Sequence, residues 1–356
     1  MIARSAPLAE TPGWEEELRN AYRDPGLLLR DLDLDPVSVG LSATAATAFA
    51  FRVPRPYARR MRPRDPTDPL LRQVLPVVAE ERRVPGYSAD PVGDSASRRT
   101  PSLLHKYQGR ALLMLSGACA VNCRYCFRRE YPYEITLGRG HLEAAIATIA
   151  GDASLDEVIL SGGDPLLLSD AAITELLARL AEIPHVVRVR IHTRLPVVIP
   201  ARVTPGLLAA LTGTRLTPVM VLHLNHPAEI DPALTRAALA LAAERILTLN
   251  QAVLLAGIND DAEVLRQLSL RLFEARILPY YLHLLDRVHG SAHFEVADAR
   301  AQAIYAALHS SLPGYLVPRL VREEPGMPGK TLQSPAATIA PTSAFFLAAP
   351  SHVHLE

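Results

Sequence analysis

Cysteine is scarce in this chain. Its 356 residues hold three, at 119, 123 and 126. A disulfide framework needs paired cysteines spread along a chain, and an odd number crowded into one short stretch excludes it. Net charge is also absent, with 37 Lys and Arg against 37 Asp and Glu. A chain without basic excess has no electrostatic footprint for nucleic acid. Long apolar runs are missing. Stretches such as ALALAA at 237–242 fall far short of the roughly 20 residues of a membrane span. The opening MIARSAPLAETPGWEEELRN has no apolar core and turns acidic early, so no secretory signal is expected. These absences predict a reducing, cytoplasmic setting with neither membrane nor nucleic acid as partner. The one local charge excess, Arg59, Arg60, Arg62 and Arg64 in ARRMRPRDP, reads as a solvated, proline-broken loop.

What is present divides unevenly. A helix is expected over 14–31, interrupted at Pro25, followed by a proline-rich connector. Residues 1–95 therefore read as a mainly helical, proline-rich extension. From about residue 110 a rhythm begins. Aliphatic runs occur at 111–116, 157–162, 187–192, 218–224, 251–257 and 278–284, with a seventh candidate at 315–321. Segments with helical apolar spacing lie between them, such as 173–183 and 262–275. This alternation argues for parallel βα units. The nearly all-apolar runs suit strands buried on both faces. The class is α/β, either an open doubly wound sheet or a complete or partial barrel. Polar residues gather at the strand ends, among them Ser161-Gly162-Gly163-Asp164 and His192-Thr193-Arg194, where a barrel collects its chemistry. The Ala/Pro-rich stretch 334–356 reads as a loosely ordered tail.

The cysteines stand as Cys-x3-Cys-x2-Cys in SGACAVNCRYCFRR. Thiolates suit zinc, copper or iron–sulfur clusters. Three of them could bind structural zinc together with His105 or another histidine. They could equally hold three irons of a [4Fe–4S] cluster, leaving the fourth open to a small-molecule ligand. Inert buried thiols are the third reading. Further along, VREEPGMPGKT at 321–331 delivers Lys330 on a permissive Gly/Pro backbone. Such a loop suits a lysine that carries pyridoxal phosphate, although an exposed turn lysine is the commoner case.

The cysteine spacing, with Tyr125 just before the last cysteine and the Gly-rich segment one βα unit later, resembles the radical S-adenosylmethionine superfamily. The segments LLHKYQGRALLMLSGACAVNCRYCFRR, LSGGDPLLLSD, IHTRLPVVIPARVT, LNHPAEI, LNQAVLLAGIND and PYYLHLLD make the likeness specific. Between about 52 and 333 the chain resembles the lysine 2,3-aminomutase family. Three further stretches resemble the short branch that supplies β-lysine for elongation factor P: WEEELRNAYRDPGLLLRDLDL, RVPRPYARRMRPRDPTDPLLRQVLP and HLLDRVHGSAHF. The cysteine shortage agrees, because longer catabolic members carry extra cysteines for an intersubunit zinc.

The resemblance implies a partial (β/α)6 barrel over 96–333, an isomerase activity, and three cofactors: a [4Fe–4S] cluster, S-adenosylmethionine and pyridoxal 5′-phosphate. It assigns Cys119, Cys123 and Cys126 to the cluster and Lys330 to pyridoxal phosphate. Lys106, Tyr107 and Arg110 match a patch near that cofactor. Gly162, Gly163, Asp164, His223 and Gln251 match positions beside S-adenosylmethionine. For L-lysine, Arg128 matches the group that grips the carboxylate, while Asp286 and Glu323 match two acids that hold the ε-ammonium, Glu324 being an adjacent competitor. The implied partners are L-lysine, a one-electron donor and an elongation factor P ligase. Two rivals stay open: a catabolic or other amino acid 2,3-aminomutase, and a zinc-stabilised binding protein without enzymatic activity.

Overall fold

Most of the aliphatic runs become strands, several of them alternating buried with half-buried residues, laid side by side in the order in which they occur in the chain. The computed structural model describes residues 13–135 and 138–333; the expected tail from 334 lies outside them. One sheet carries ten strands in the order β1 to β10. The first three, β1 (Arg98–Thr100), β2 (Leu103–Tyr107) and β3 (Arg110–Ser116), form an antiparallel meander. From β3 onward the pairing is parallel, through β4 (Glu157–Gly162), β5 (Arg188–Thr193), β6 (Thr217–Leu222), β7 (Leu247–Val253), β8 (Leu278–His283) and β9 (Arg319–Arg322). The short β10 (Thr331–Leu332) turns back antiparallel to β9. A doubly wound sheet reverses its strand order at a switch point. This sheet never reverses, so it is the partial barrel of the two architectures the pattern allowed. Helices such as Asp170–Ala181, Pro232–Ala243 and Ala262–Glu274 make the crossovers.

The barrel is closed by side chains instead of backbone. Glu323, just beyond β9, accepts a 2.5 Å hydrogen bond from the hydroxyl of Tyr107 on β2. Its Oε1 also lies 3.3 Å from Lys106 Nζ. The two ends of the curled sheet thus meet through one carboxylate.

Several strand assignments differ from the periodicity. The run expected at 315–321 is strand only over Arg319–Arg322, after a single turn at Gly314–Leu316. The run expected at 251–257 begins earlier, as β7, and residues 254–258 form a loop. Leu254, Leu255 and Ile258 are buried there, so an apolar run mimics a strand. The side chain of Asn259 replaces the missing ladder, accepting from Leu255 N at 2.7 Å and donating to Val253 O at 2.9 Å. The strands β1, β2 and β10 were not foreseen, because RRT is polar, LLHKY is half polar and TL is only two residues long.

In the N-terminal region the expected break at Pro25 separates two helices, Trp14–Arg19 and Pro25–Asp31. Asp24 caps the second, whose first residue is the proline. Trp14, Leu28, Tyr57 and Leu70 share one apolar cluster with Leu113, Leu160 and Val189 of the barrel. The basic stretch is solvated as expected at Arg59, Arg62 and Arg64, but not at Arg60. The Arg60 side chain is 8% exposed. Its guanidinium donates to the carbonyls of Glu229 and, at 2.6 Å, of Val197, and it lies over the Tyr57 ring.

This region also grips the cysteine loop. Arg52 Nη1 donates to Cys119 O at 3.1 Å, Asn122 Nδ2 to Ala50 O at 2.7 Å, and Arg124 N to Gln73 O at 2.9 Å. Arg124, between two cysteines, is fully buried. It pairs with Glu80 at 2.6 Å and donates to Phe49 O and Ala45 O. Removing one partner of a buried pair strands the other's charge. Arg129 still neutralises Glu80 at 2.7 Å, so Arg124→Met should cost about 3 kcal/mol, the low end of that class. Denaturant unfolding of the cofactor-free protein checks this.

A candidate active site inside the barrel

A cavity of about 630 Å³ runs through the barrel from Arg110, at the start of β3, to the loops at the strand ends. It brings together most of the residues the sequence singled out for a role: the three cysteines, Gly162, Gly163 and Asp164, Lys106, Tyr107 and Arg110, Arg128, His223, Gln251, Asp286, Glu323 and Lys330. Glu324 does not line it, and its carboxylate accepts from Thr331 instead.

The cysteine loop follows β3 directly. Desolvation raises the Cys119 thiol well above its usual pKa and brings Cys126 to about 11, and the neighbouring cysteines add to both. Holding thiolates at Cys119 and Cys126 therefore calls for positive charge nearby. His105, the candidate fourth zinc ligand, does not line the cavity; its Nδ1 lies 3.9 Å from Asp152.

The Gly-rich segment ending β4 packs on this loop. A Cβ on Gly163 would sit 2.2 Å from Ala118 O, and one on Gly162 would sit 2.5 Å from Ser116 O. Gly162 also has φ +124°, a region other residues avoid. With side chains absent, Asp164 N reaches Ala118 O at 2.8 Å. The Asp164 carboxylate is occupied by the next strand end. It accepts from Thr193 Oγ1 at 2.7 Å and from the amides of Leu166, Arg194 and Leu195. Its side chain thus fastens two strand-end loops together.

On the far wall, Glu323 pairs with Lys330 as well as with Lys106 and Tyr107. Burial alone would push Glu323 up, but Lys330 and its other partners outweigh it and hold the carboxyl at about 2. Asp286 contrasts with it. Its carboxylate has no hydrogen-bond partner among the described residues, and desolvation, against the pull of Lys330, brings it up to about 7. Arg128 donates through Nε to Asp94 at 2.8 Å and through Nη1 to Ser161 Oγ at 3.2 Å. Lys106 shares Asp94, also at 2.8 Å. His223 Nε2 lies 2.9 Å from Gln251 Nε2, and burial lowers the imidazole to about 3. It is therefore neutral at physiological pH.

Sequence reasoning missed Asp94, which is 2% exposed and joins Lys106 to Arg128. No local motif marks it, since its partners lie 12 and 34 positions along the chain. It also gave no role to Arg194, although that residue stood among the polar strand ends.

Comparison with known proteins agrees with this geometry. Residues 113–268 match the Radical SAM superfamily. A protein named L-lysine 2,3-aminomutase from Haemophilus influenzae is 46% identical over 333 residues, covering 93% of this chain and 98% of that one. One of the same name from Escherichia coli is 46% identical over 89% of this chain and 93% of its own. The Clostridium subterminale protein of that name is 33% identical, covering 93% of this chain and 80% of its own length. The chain belongs to the lysine 2,3-aminomutase family. Members of this radical S-adenosylmethionine family are isomerases, and the cofactors that go with it are a [4Fe–4S] cluster, S-adenosylmethionine and pyridoxal phosphate.

The cavity fits them. Three thiols on one loop match a cluster that keeps one iron for another ligand. Buried ring nitrogens at His192 and His283 have no hydrogen-bond partner among the described residues, as expected of a wall built for a polar ligand. Lys330 offers an amine beside Tyr281, with Nζ 5.8 Å from the ring centroid.

The Gly163 contact generates a test. Gly163→Ala must push the Ala118 carbonyl and the cysteine loop away, and small-to-large strain of this kind costs about 1–3 kcal/mol. The variant should show a lower unfolding midpoint and less iron per chain after anaerobic reconstitution. Wild-type values for both would show that the contact is not limiting.

Proposed function

We propose that this chain is an L-lysine 2,3-aminomutase, which moves the amino group of L-lysine from C2 to C3 to give β-lysine. The observation that carries the reading is one cavity that holds three loop cysteines, a lysine on a Gly/Pro loop and an unpaired acid. When bound, the cluster with S-adenosylmethionine supplies a hydrogen-abstracting radical, and pyridoxal phosphate supplies the delocalisation that lets the nitrogen migrate.

The chain's own residues do the rest. Cys119, Cys123 and Cys126 hold the cluster. Lys330 anchors pyridoxal phosphate, and Arg110 and Lys106 take its phosphate, with Tyr107 beside them. Gly162, Gly163, His223 and Gln251 border S-adenosylmethionine, and Asp164 keeps their loop in place. Arg128 grips the substrate carboxylate with the edge of its fork that Asp94 and Ser161 leave over. Asp286 accepts the ε-ammonium. Glu323, paired with Lys330 on the same wall as Asp286, would take a share of the same ammonium. Enclosure in the barrel excludes water from the reacting centre. A glutamate side chain would need a cation where Asp286 and Glu323 stand, so lysine fits and glutamate does not.

The biological setting is part of the proposal. The short-branch segments WEEELRNAYRDPGLLLRDLDL, RVPRPYARRMRPRDPTDPLLRQVLP and HLLDRVHGSAHF support β-lysine supply to a ligase that modifies elongation factor P. A cytoplasmic one-electron donor would serve the cluster. No helix among the described residues is long and apolar enough to cross a membrane. The same reading divides the chain into an N-terminal extension to residue 95, a barrel from 96 to 333, and a tail.

Anaerobic reconstitution followed by incubation with L-lysine, S-adenosylmethionine and a reductant should yield β-lysine. Turnover of another amino acid in its place would overturn the reading. Borohydride reduction should fix pyridoxal phosphate on Lys330, and label on a different lysine would reassign the anchor.

Asp286 gives a pH test. Its ionised form, present above about pH 7, binds an ammonium, and its protonated form does not. Thus kcat/KM for lysine should rise as pH increases through about 7. Asp286→Asn should abolish that rise and lower kcat/KM at least tenfold, about 1.4 kcal/mol, with iron and pyridoxal contents unchanged. Unaltered lysine kinetics would remove Asp286 from the site.

A further inference from the structure

Arg194 is the most heavily engaged side chain beside the cysteine loop, and the reaction described above gives it no part. It is 6% exposed and sits just past β5. Its Nη1 donates to Cys123 Sγ at 2.6 Å and to Tyr125 OH at 2.5 Å. Its Nη2 donates to Glu229 Oε2 at 2.9 Å, Gln73 Oε1 at 2.8 Å and Tyr57 OH at 3.2 Å. Glu229 is fully buried and is fixed in turn by the amides of Asn225 and His226. A guanidinium held on one side by a buried acid and two neutral acceptors has little freedom. Its other side is presented to a cysteine sulfur.

We propose that Arg194 is a positioning residue that sets the reduction potential of the cluster through Cys123. The inference rests on the cluster assignment made above. A [4Fe–4S]²⁺ cluster accepts one electron from a one-electron donor and becomes [4Fe–4S]⁺; no proton moves and no bond breaks. The added negative charge spreads over the cluster and its thiolates. An N–H donor and a buried cation against one of those sulfurs stabilise the reduced state more than the oxidised one, which raises the potential. Hydrogen bonds to sulfur and local net charge are the protein's main controls on it. Glu229 works the other way, offsetting part of that charge. Two of the groups that hold the guanidinium, Tyr57 and Gln73, belong to the N-terminal region. That region therefore adjusts the electronics of the cluster in addition to gripping its loop.

The test uses full-length protein, anaerobically reconstituted and assayed for iron, and titrated with a low-potential reductant while the reduced cluster is followed by electron paramagnetic resonance. Arg194→Met combined with Glu229→Gln removes the donor without stranding a buried charge. Its cluster should become at least tenfold harder to reduce, about 59 mV for one electron. Glu229→Gln alone leaves the Arg194 charge less balanced and should shift the potential in the opposite direction. A purely structural role would change iron content or stability in both variants but would not move their potentials in opposite senses. If either variant, loaded with iron, keeps the wild-type potential, the proposal fails. Should the double variant take up no iron, Glu229→Gln decides alone, because it opens no cavity and keeps Arg194. Failure of the wild-type protein to take up iron and sulfide would instead sink the cluster assignment itself.

Discussion

The cavity depends on how an unclosed sheet is kept curled. Ten strands in sequential order leave two free ends, and main-chain hydrogen bonds do not join them. Glu323 does, by accepting from Tyr107 on β2 while pairing with Lys106 and Lys330. A buried carboxylate is costly unless fully partnered, and here every partner lies on the cavity wall. The closure is thus made from the groups that face a ligand. Lys330 is one of those partners, so the charge at the seam is shared with a group that faces the cavity.

The opposite wall is built by close backbone approach. Gly162 and Gly163 let the end of β4 lie against the cysteine loop at distances no side chain permits. Asp164 then fixes that segment to the end of β5. The space a side chain would need at these glycines is taken by the backbone of Ser116 and Ala118. From the outside the N-terminal region holds the same loop through Arg52, Ala50 and Gln73. The loop that carries the three thiols is thereby held by protein contacts on both sides.

The sequence by itself determined the architecture and the chemical inventory. Apolar-run patterns act over a few residues, so most of the expected strands fall within a residue or two of their places, and the Cys-x3-Cys-x2-Cys spacing marked the three candidate ligands while leaving zinc, a cluster or inert thiols open. Where local pattern misled, as at Leu254 and Leu255, burial in a loop had the same composition as burial in a strand. What only the tertiary structure decided is how the charges are shared. Asp94 joins Lys106 to Arg128, Glu323 rather than Glu324 faces the cavity, Asp286 stays unpaired, and Arg194 meets Cys123 across 71 positions of chain. Those outcomes follow from desolvation and from which buried donor finds which acceptor, and both are properties of the packed interior that no short stretch of sequence contains.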